Sequence, residues 1–199
     1  MLLWINGPFG GGKTQTAHEI ARRLPGSVIC DPENVGYGLH RMLPARLRGD
    51  FQDLPVWRQG VHDMLDLVLR EHEGPVIAPM TLVDDGYFKE IIGRLREKHD
   101  VRHFALLAER ETVLKRLNER GLGMGLKWES FAVGKLDHCL ERLSRPEFGE
   151  HIRTDSVTIP RIADTVAASA GLRLAPNTDS ALRHRLRRTW TSVKHIRIG

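Results

Sequence analysis

Gly7-Pro8-Phe9-Gly10-Gly11-Gly12-Lys13-Thr14 fills the phosphate-loop pattern G-x-x-x-x-G-K-[ST] without a mismatch. An apolar stretch, Leu2-Leu3-Trp4-Ile5, precedes it, and a helix-patterned stretch starts at Lys13. A buried strand running through a glycine-rich loop into a helix N-terminus is the geometry that holds a nucleoside triphosphate. Gly7, Gly10, Gly11 and Gly12 let backbone N–H groups converge on phosphate oxygens, with Phe9 and Gln15 flanking that cradle. Lys13 supplies a point charge toward the β- and γ-phosphates, and the Thr14 hydroxyl is placed to ligate Mg²⁺. The pattern therefore predicts ATP or GTP, with Mg²⁺, as the bound cofactor.

Outward from this loop the chain alternates strand and helix signals. Helical periodicity over 13–24 puts Ala17, Ile20, Ala21 and Leu24 on one face, and Pro25-Gly26 stops it. Ser27–Cys30 reads as a second strand. A short helix (Gly38 to Leu43) and a longer one (55–72, with Trp57, Val61, Leu65, Val68 and Leu69 inward) lead to a third strand, Val76–Met80. Tyr87 to Lys98 reads as helix, His103–Leu107 as strand four, Glu111 to Arg120 and Glu129 to Leu143 as helices. Val157-Thr158-Ile159 reads as strand five, before a helix over 161–170. Five strands alternating with helices imply an α/β fold, a five-stranded parallel sheet with helices on both faces. At 199 residues the chain fits one such domain, over 1–176, followed by a tail, 177–199.

Charge is divided between the two. The net charge is +5, yet residues 181–199 carry six cations and no acid, so the first 180 residues are close to neutral. A nucleic-acid-binding body is not implied. On a helical wheel Leu182, Leu186, Trp190, Val193 and Ile196 form one stripe opposite Arg183, Arg187, Arg188 and Lys194. That basic amphipathic pattern suits peripheral contact with anionic lipid, a helix docked on the domain, or a solvated end. Two cysteines without metal-ligand spacing and the absence of a signal-peptide pattern point to a cytoplasmic setting. The histidines carry no hydrolase motif and read as surface residues.

Ligands of open parallel sheets collect at the carboxyl ends of the strands, which ranks the remaining candidates. Asp31 and Glu33 follow strand two, where a carboxylate takes the proton of an attacking hydroxyl or anchors the acceptor. Strand three ends without the Asp that often helps hold Mg²⁺; Thr81 stands there, a hydroxyl for a metal-bound water or for the substrate. Arg116 and Arg120, with Arg110 behind them, precede Gly121-Leu-Gly-Met-Gly125 and suggest a lid that neutralises charge on a transferring phosphoryl group. Tyr37 and Tyr87, or Phe88, are the aromatic candidates for stacking on a base.

Several strings together resemble the tunicamycin-resistance protein family: Trp4-Ile5-Asn6-Gly7-Pro8-Phe9-Gly10 with Gly12-Lys13-Thr14-Gln15-Thr16, Asp31-Pro32-Glu33, Pro79-Met80-Thr81, Tyr87-Phe88 with Glu90-Ile91-Ile92-Gly93-Arg94-Leu95, and Leu114-Lys115-Arg116-Leu117. The resemblance covers roughly residues 1–170. It implies a P-loop, nucleotide-kinase-like fold with sheet order 2-3-1-4-5, related to chloramphenicol phosphotransferase and shikimate kinase, with the acid matching Asp31 as base or substrate anchor. It also implies a nucleoside-like partner, tunicamycin, which contains uridine. Three functions stay open at this point: a small-molecule kinase acting on the drug, an ATP-dependent binder that sequesters it, and a housekeeping nucleotide or metabolite kinase. The chain departs from the family in Gly121–Gly125 and in its long basic tail.

Overall fold

The computed structural model describes residues 1–121 and 126–178. Strand β1 (Leu2–Asn6) is buried at every position, which only a central strand covered on both faces achieves. Its side chains alternate. Leu3 and Ile5 enter one core with Ile77, Phe104, Leu106 and the helices α1 (Lys13–Arg23) and α8 (Ile159–Ser169). Leu2 and Trp4 enter the opposite core with Val76, Ala78 and, from α3 (Pro55–Glu71), Trp57, Val61 and Leu65. The period-two side-chain alternation of one five-residue strand thus feeds both layers.

The sheet is parallel throughout and ordered β2-β3-β1-β4-β5, as the sequence predicts. β2 is Val28–Ile29, β3 Val76–Pro79 and β4 Val101–Leu107. α2 (Glu33–Met42) follows β2, and short 3₁₀ turns at Ala45–Leu47 and Phe51–Asp53 lead from it to α3. The helix expected at 87–98 is α4 (Asp85–Phe88), a π-helical turn (Lys89–Gly93) and α5 (Arg94–Arg96) in succession. α6 (Arg110–Gly121) and α7 (Leu126–Leu143) follow β4.

The fifth strand is misplaced by the sequence reading. β5 is Glu150–Arg153, and Ile159-Pro160 opens α8 instead of ending a strand. β5 is an edge strand in which only Ile152 is buried, so it lacks the apolar run that marks a central parallel strand. Val157 and Ile159 are apolar because they pack on the core beneath α1 and α8. Pro160 is tolerated in the first turn of α8, where no intrahelical N–H bond is lost.

Beyond α8 the chain returns along α1: Arg23 Nε donates to the Ala175 carbonyl at 2.8 Å, the Ala175 N–H donates to the Arg23 carbonyl at 2.8 Å, and Arg22 reaches Asn177 at 2.9 Å. The amphipathic stripe of residues 182–196 and the glycine segment 122–125 lie outside the described residues. Among the described residues no helix is long and apolar enough to cross a membrane.

Candidate functional site

The loop from Gly7 to Gly12 joins β1 to α1. Gly12 is the residue before the helix and has φ 92, a left-handed conformation that a side chain would strain. α1 has no side-chain cap and no acid in its first turn, so the positive end of its dipole faces the loop. The Gly11 N–H donates to the Pro8 carbonyl at 2.9 Å and the Lys13 ammonium to the same carbonyl at 3.0 Å. Lys13 is 8% exposed, and its ammonium lies 5.6 Å from the centre of the Phe9 ring. The Thr14 hydroxyl makes no hydrogen bond among the described residues. A buried ammonium, an uncapped helix start and a side-chain-free turn fit a polyphosphate.

Two buried polar groups hold the loop from beneath. Asn6 is fully buried; its Oδ1 accepts the N–H groups of Gly7 (2.9 Å) and Leu82 (3.0 Å), and its Nδ2 donates to the Leu82 carbonyl at 2.7 Å. Thr81 donates its hydroxyl proton to the Gly7 carbonyl at 2.8 Å. Thr81, singled out for metal water or substrate, thus bolts the segment after β3 to the phosphate loop. The carboxylates beyond it have their own partners: Asp84 accepts the Tyr87 N–H at 2.9 Å, and Asp85 pairs with Arg142.

Asp31 stands at the end of β2 with 8% exposure. Two strand spacings separate β2 from β1, about 10 Å. One Asp31 oxygen accepts the Glu33 N–H at 3.0 Å and so caps the start of α2. Trp57 Nε1 donates to the Pro32 carbonyl at 3.1 Å and pins this turn to α3. Tyr37 donates to Glu33 at 3.3 Å and meets the Phe51 ring edge-on at 6.2 Å. Farther along, Tyr87 donates to Asp53 at 2.9 Å, a bond that raises the phenol pKa, and the Arg58 guanidinium covers its ring at 4.2 Å. Phe88, half-buried, packs on His103 and Phe148. Asp31, Glu33 and Tyr37 are thus linked on one wall, whereas Tyr87 and Phe88 are engaged by other partners.

The far side is built by α6 and α7. Phe9, Leu114 and Leu140 pack against a buried cluster of Ala108, Val113, Leu117 and Leu136. Burial pushes the Cys139 thiol pKa up, opposed by the charges of Lys13 and Lys135 and reinforced by Asp50. Arg116 donates to the Thr154 hydroxyl at 3.1 Å and to the Thr154 carbonyl, so its guanidinium is directed to the turn after β5. Arg110 is a surface partner of Asp137 at 2.7 Å. The Arg120 side chain lies outside the described residues. Among the described residues no group of three His, Cys, Asp or Glu forms a metal centre.

The sequence reading missed Asn6, His103 and Lys135. His103 reads from the sequence as a surface residue, yet it is 5% exposed and its Nε2 lies 3.2 Å from Asn6 Nδ2. The available signal was its place in an otherwise apolar strand. Lys135 pairs with Asp50 across the cleft, and nothing local in the sequence marks it.

A glycine-rich loop between a central parallel strand and an uncapped helix, in a 2-3-1-4-5 sheet, defines a P-loop protein of the nucleotide-kinase-like class. The AAA domain family matches residues 2–127. The tunicamycin resistance protein of Deinococcus radiodurans is 34% identical, with 88% of this chain and 99% of that one covered and a TM-score of 0.73. The chain belongs to this P-loop family of tunicamycin-resistance proteins. A gluconokinase from Sinorhizobium meliloti 1021 (15% identity, 97% of each chain, TM-score 0.60) shares the fold, as does the shikimate kinase of Bacteroides thetaiotaomicron (15% identity, 86% of this chain and 99% of that one, TM-score 0.58). No curated protein matches the chain. The family implies nucleotide binding.

Proposed function

We propose that this protein is an ATP-dependent phosphotransferase acting on a hydroxyl group of a nucleoside-like small molecule, with tunicamycin the first acceptor to test. The observation that carries this reading is the pairing of a complete phosphate loop with a buried carboxylate, Asp31, at the carboxyl end of β2 in the same sheet. Lys13 and the start of α1 would hold the β- and γ-phosphates, and the Thr14 hydroxyl would ligate Mg²⁺. Bound Mg·ATP supplies the phosphoryl group: the acceptor oxygen bonds to the γ-phosphorus as the bond to the ADP oxygen breaks. Asp31 takes the proton of the acceptor hydroxyl, and the Asp31–Tyr37 wall positions that hydroxyl. Arg116, which bonds Thr154, and Arg120 are the proposed cations that neutralise charge on the phosphates.

A second reading, ATP-dependent sequestration of the drug, draws on the end of β3. Thr81 stands where an acid would help hold Mg²⁺, and it is bonded to Gly7. An ADP-release assay separates the two. Turnover stimulated by a nucleoside acceptor supports the kinase; stoichiometric binding of tunicamycin without ADP release supports sequestration. For the tail we propose peripheral contact with anionic lipid, on the sequence pattern of residues 182–196.

A further inference from the structure

His103 sits in β4, yet one of its ring nitrogens takes part in the scaffold of the phosphate loop. The Asn6 amide cannot be reversed, because the atom facing the two backbone donors Gly7 N–H and Leu82 N–H must be oxygen. Its Nδ2 is therefore the donor at 3.2 Å from His103 Nε2, so that nitrogen is the acceptor and the imidazole proton resides on Nδ1. Nδ1 is buried and has no hydrogen-bond partner among the described residues. A buried donor left unpaired is costly, and a leucine here would fill the slot without that cost. The ring is locked as well as buried. Phe88 lies over it with centroids 5.2 Å apart and planes inclined by 32°. Behind it Gly149, at φ 97, approaches so closely that a Cβ there would lie 2.9 Å from the ring Cγ and 2.2 Å from the His103 carbonyl oxygen.

We propose that His103 is a positioning residue for the nucleotide site: by accepting from Asn6 it holds the amide whose oxygen fixes the Gly7 N–H and the Leu82 backbone. Asn6 then sets two segments together, the first residue of the phosphate loop and the stretch that carries Thr81, whose hydroxyl bonds back to Gly7. This arrangement is preorganisation of a phosphate cradle by a second layer of hydrogen bonds. Without the histidine acceptor, Nδ2 retains only the Leu82 carbonyl and the amide gains rotational freedom. The inference rests on the reading of Gly7–Thr14 as a nucleotide site.

The test uses the full chain as wild type, His103→Leu and His103→Gln, with Mg·ATP affinity measured by titration calorimetry and stability by thermal unfolding. Leucine lacks the acceptor; the glutamine Oε1 supplies one. His103→Leu is expected to bind Mg·ATP roughly five- to tenfold more weakly while its unfolding temperature holds or rises, since the orphaned N–H is gone. His103→Gln is expected to recover the affinity. Equal affinity in wild type and His103→Leu overturns the proposal, as does a joint fall of affinity and stability that glutamine does not repair. A wild-type chain that binds no Mg·ATP overturns the nucleotide-site reading itself and the inference with it.

Discussion

Lys135 of α7 places its ammonium 2.6 Å from Oδ2 of Asp50, in the segment between α2 and α3, and so ties the two sides of the candidate cleft together. Asp50 is fixed for this contact, since its other oxygen accepts the Gln52 N–H at 3.1 Å. Both side chains retain solvent contact, so the pair is worth at most ~1 kcal/mol to the fold. Its consequence is positional: it holds α7 over the phosphate loop. Asp50→Asn is expected to leave the unfolding temperature nearly unchanged and to speed amide hydrogen exchange in α7 by several-fold. Unaltered exchange along α7 would show that apolar packing around Leu136 alone holds the helix.

Lys13 is buried and in contact with the loop it serves. Lys13→Ala is expected to weaken Mg·ATP binding by about 2–3 kcal/mol, the scale of a lost charge-assisted contact. Titration calorimetry on a folded variant checks this. Affinity equal to that of wild type would mean that the loop is not a working nucleotide site.

How far the sequence carries this picture differs between parts of the molecule. The phosphate loop is legible because its function is local: backbone turns, one ammonium and one hydroxyl are consecutive in the chain. A parallel sheet with β1 at its centre is legible from regular alternation and from the uninterrupted apolar run of β1, while the order 2-3-1-4-5 comes with the family resemblance. β5 was misread because an edge strand needs little apolar surface, while Val157 and Ile159 owe their apolarity to a helix start. The partners of Asp31, Thr81 and His103 were not legible. Each depends on which segments the sheet brings side by side, as Asn6 and His103, 97 residues apart, illustrate.

Burial, with the charges of Arg96 and His151, lowers the His103 pKa from 6.5 to about 3. The unfolded chain therefore binds the extra proton between these values, and the stability that the neutral imidazole contributes is complete above pH 6.5 and lost as pH falls toward 3. Carboxylates with lowered pKa values, among them Asp85 and Asp155, begin to lose their contributions only as pH falls below about 5. Thermal unfolding between pH 7 and pH 5 thus reports His103. The unfolding temperature of the wild type is expected to fall over this interval, and that of His103→Leu to fall less. Parallel slopes would place the pH dependence elsewhere.

The basic tail makes a separate prediction. Intact protein is expected to pellet with anionic vesicles, to be released at high salt, and to stop pelleting when residues 178–199 are deleted. Equal partitioning of the intact and shortened chains would assign the tail no lipid contact.

The central claim is phosphoryl transfer to a nucleoside-like acceptor with Asp31 as base, and the mass of the acceptor tests it most directly. Purified wild type and Asp31→Asn are incubated with Mg·ATP and tunicamycin, and the drug is weighed by mass spectrometry. The account predicts a gain of one phosphoryl group with the wild type and a rate about 10²-fold lower with Asp31→Asn, which still binds Mg·ATP. Unchanged drug mass alongside stoichiometric drug binding by the wild type would contradict it and establish sequestration instead.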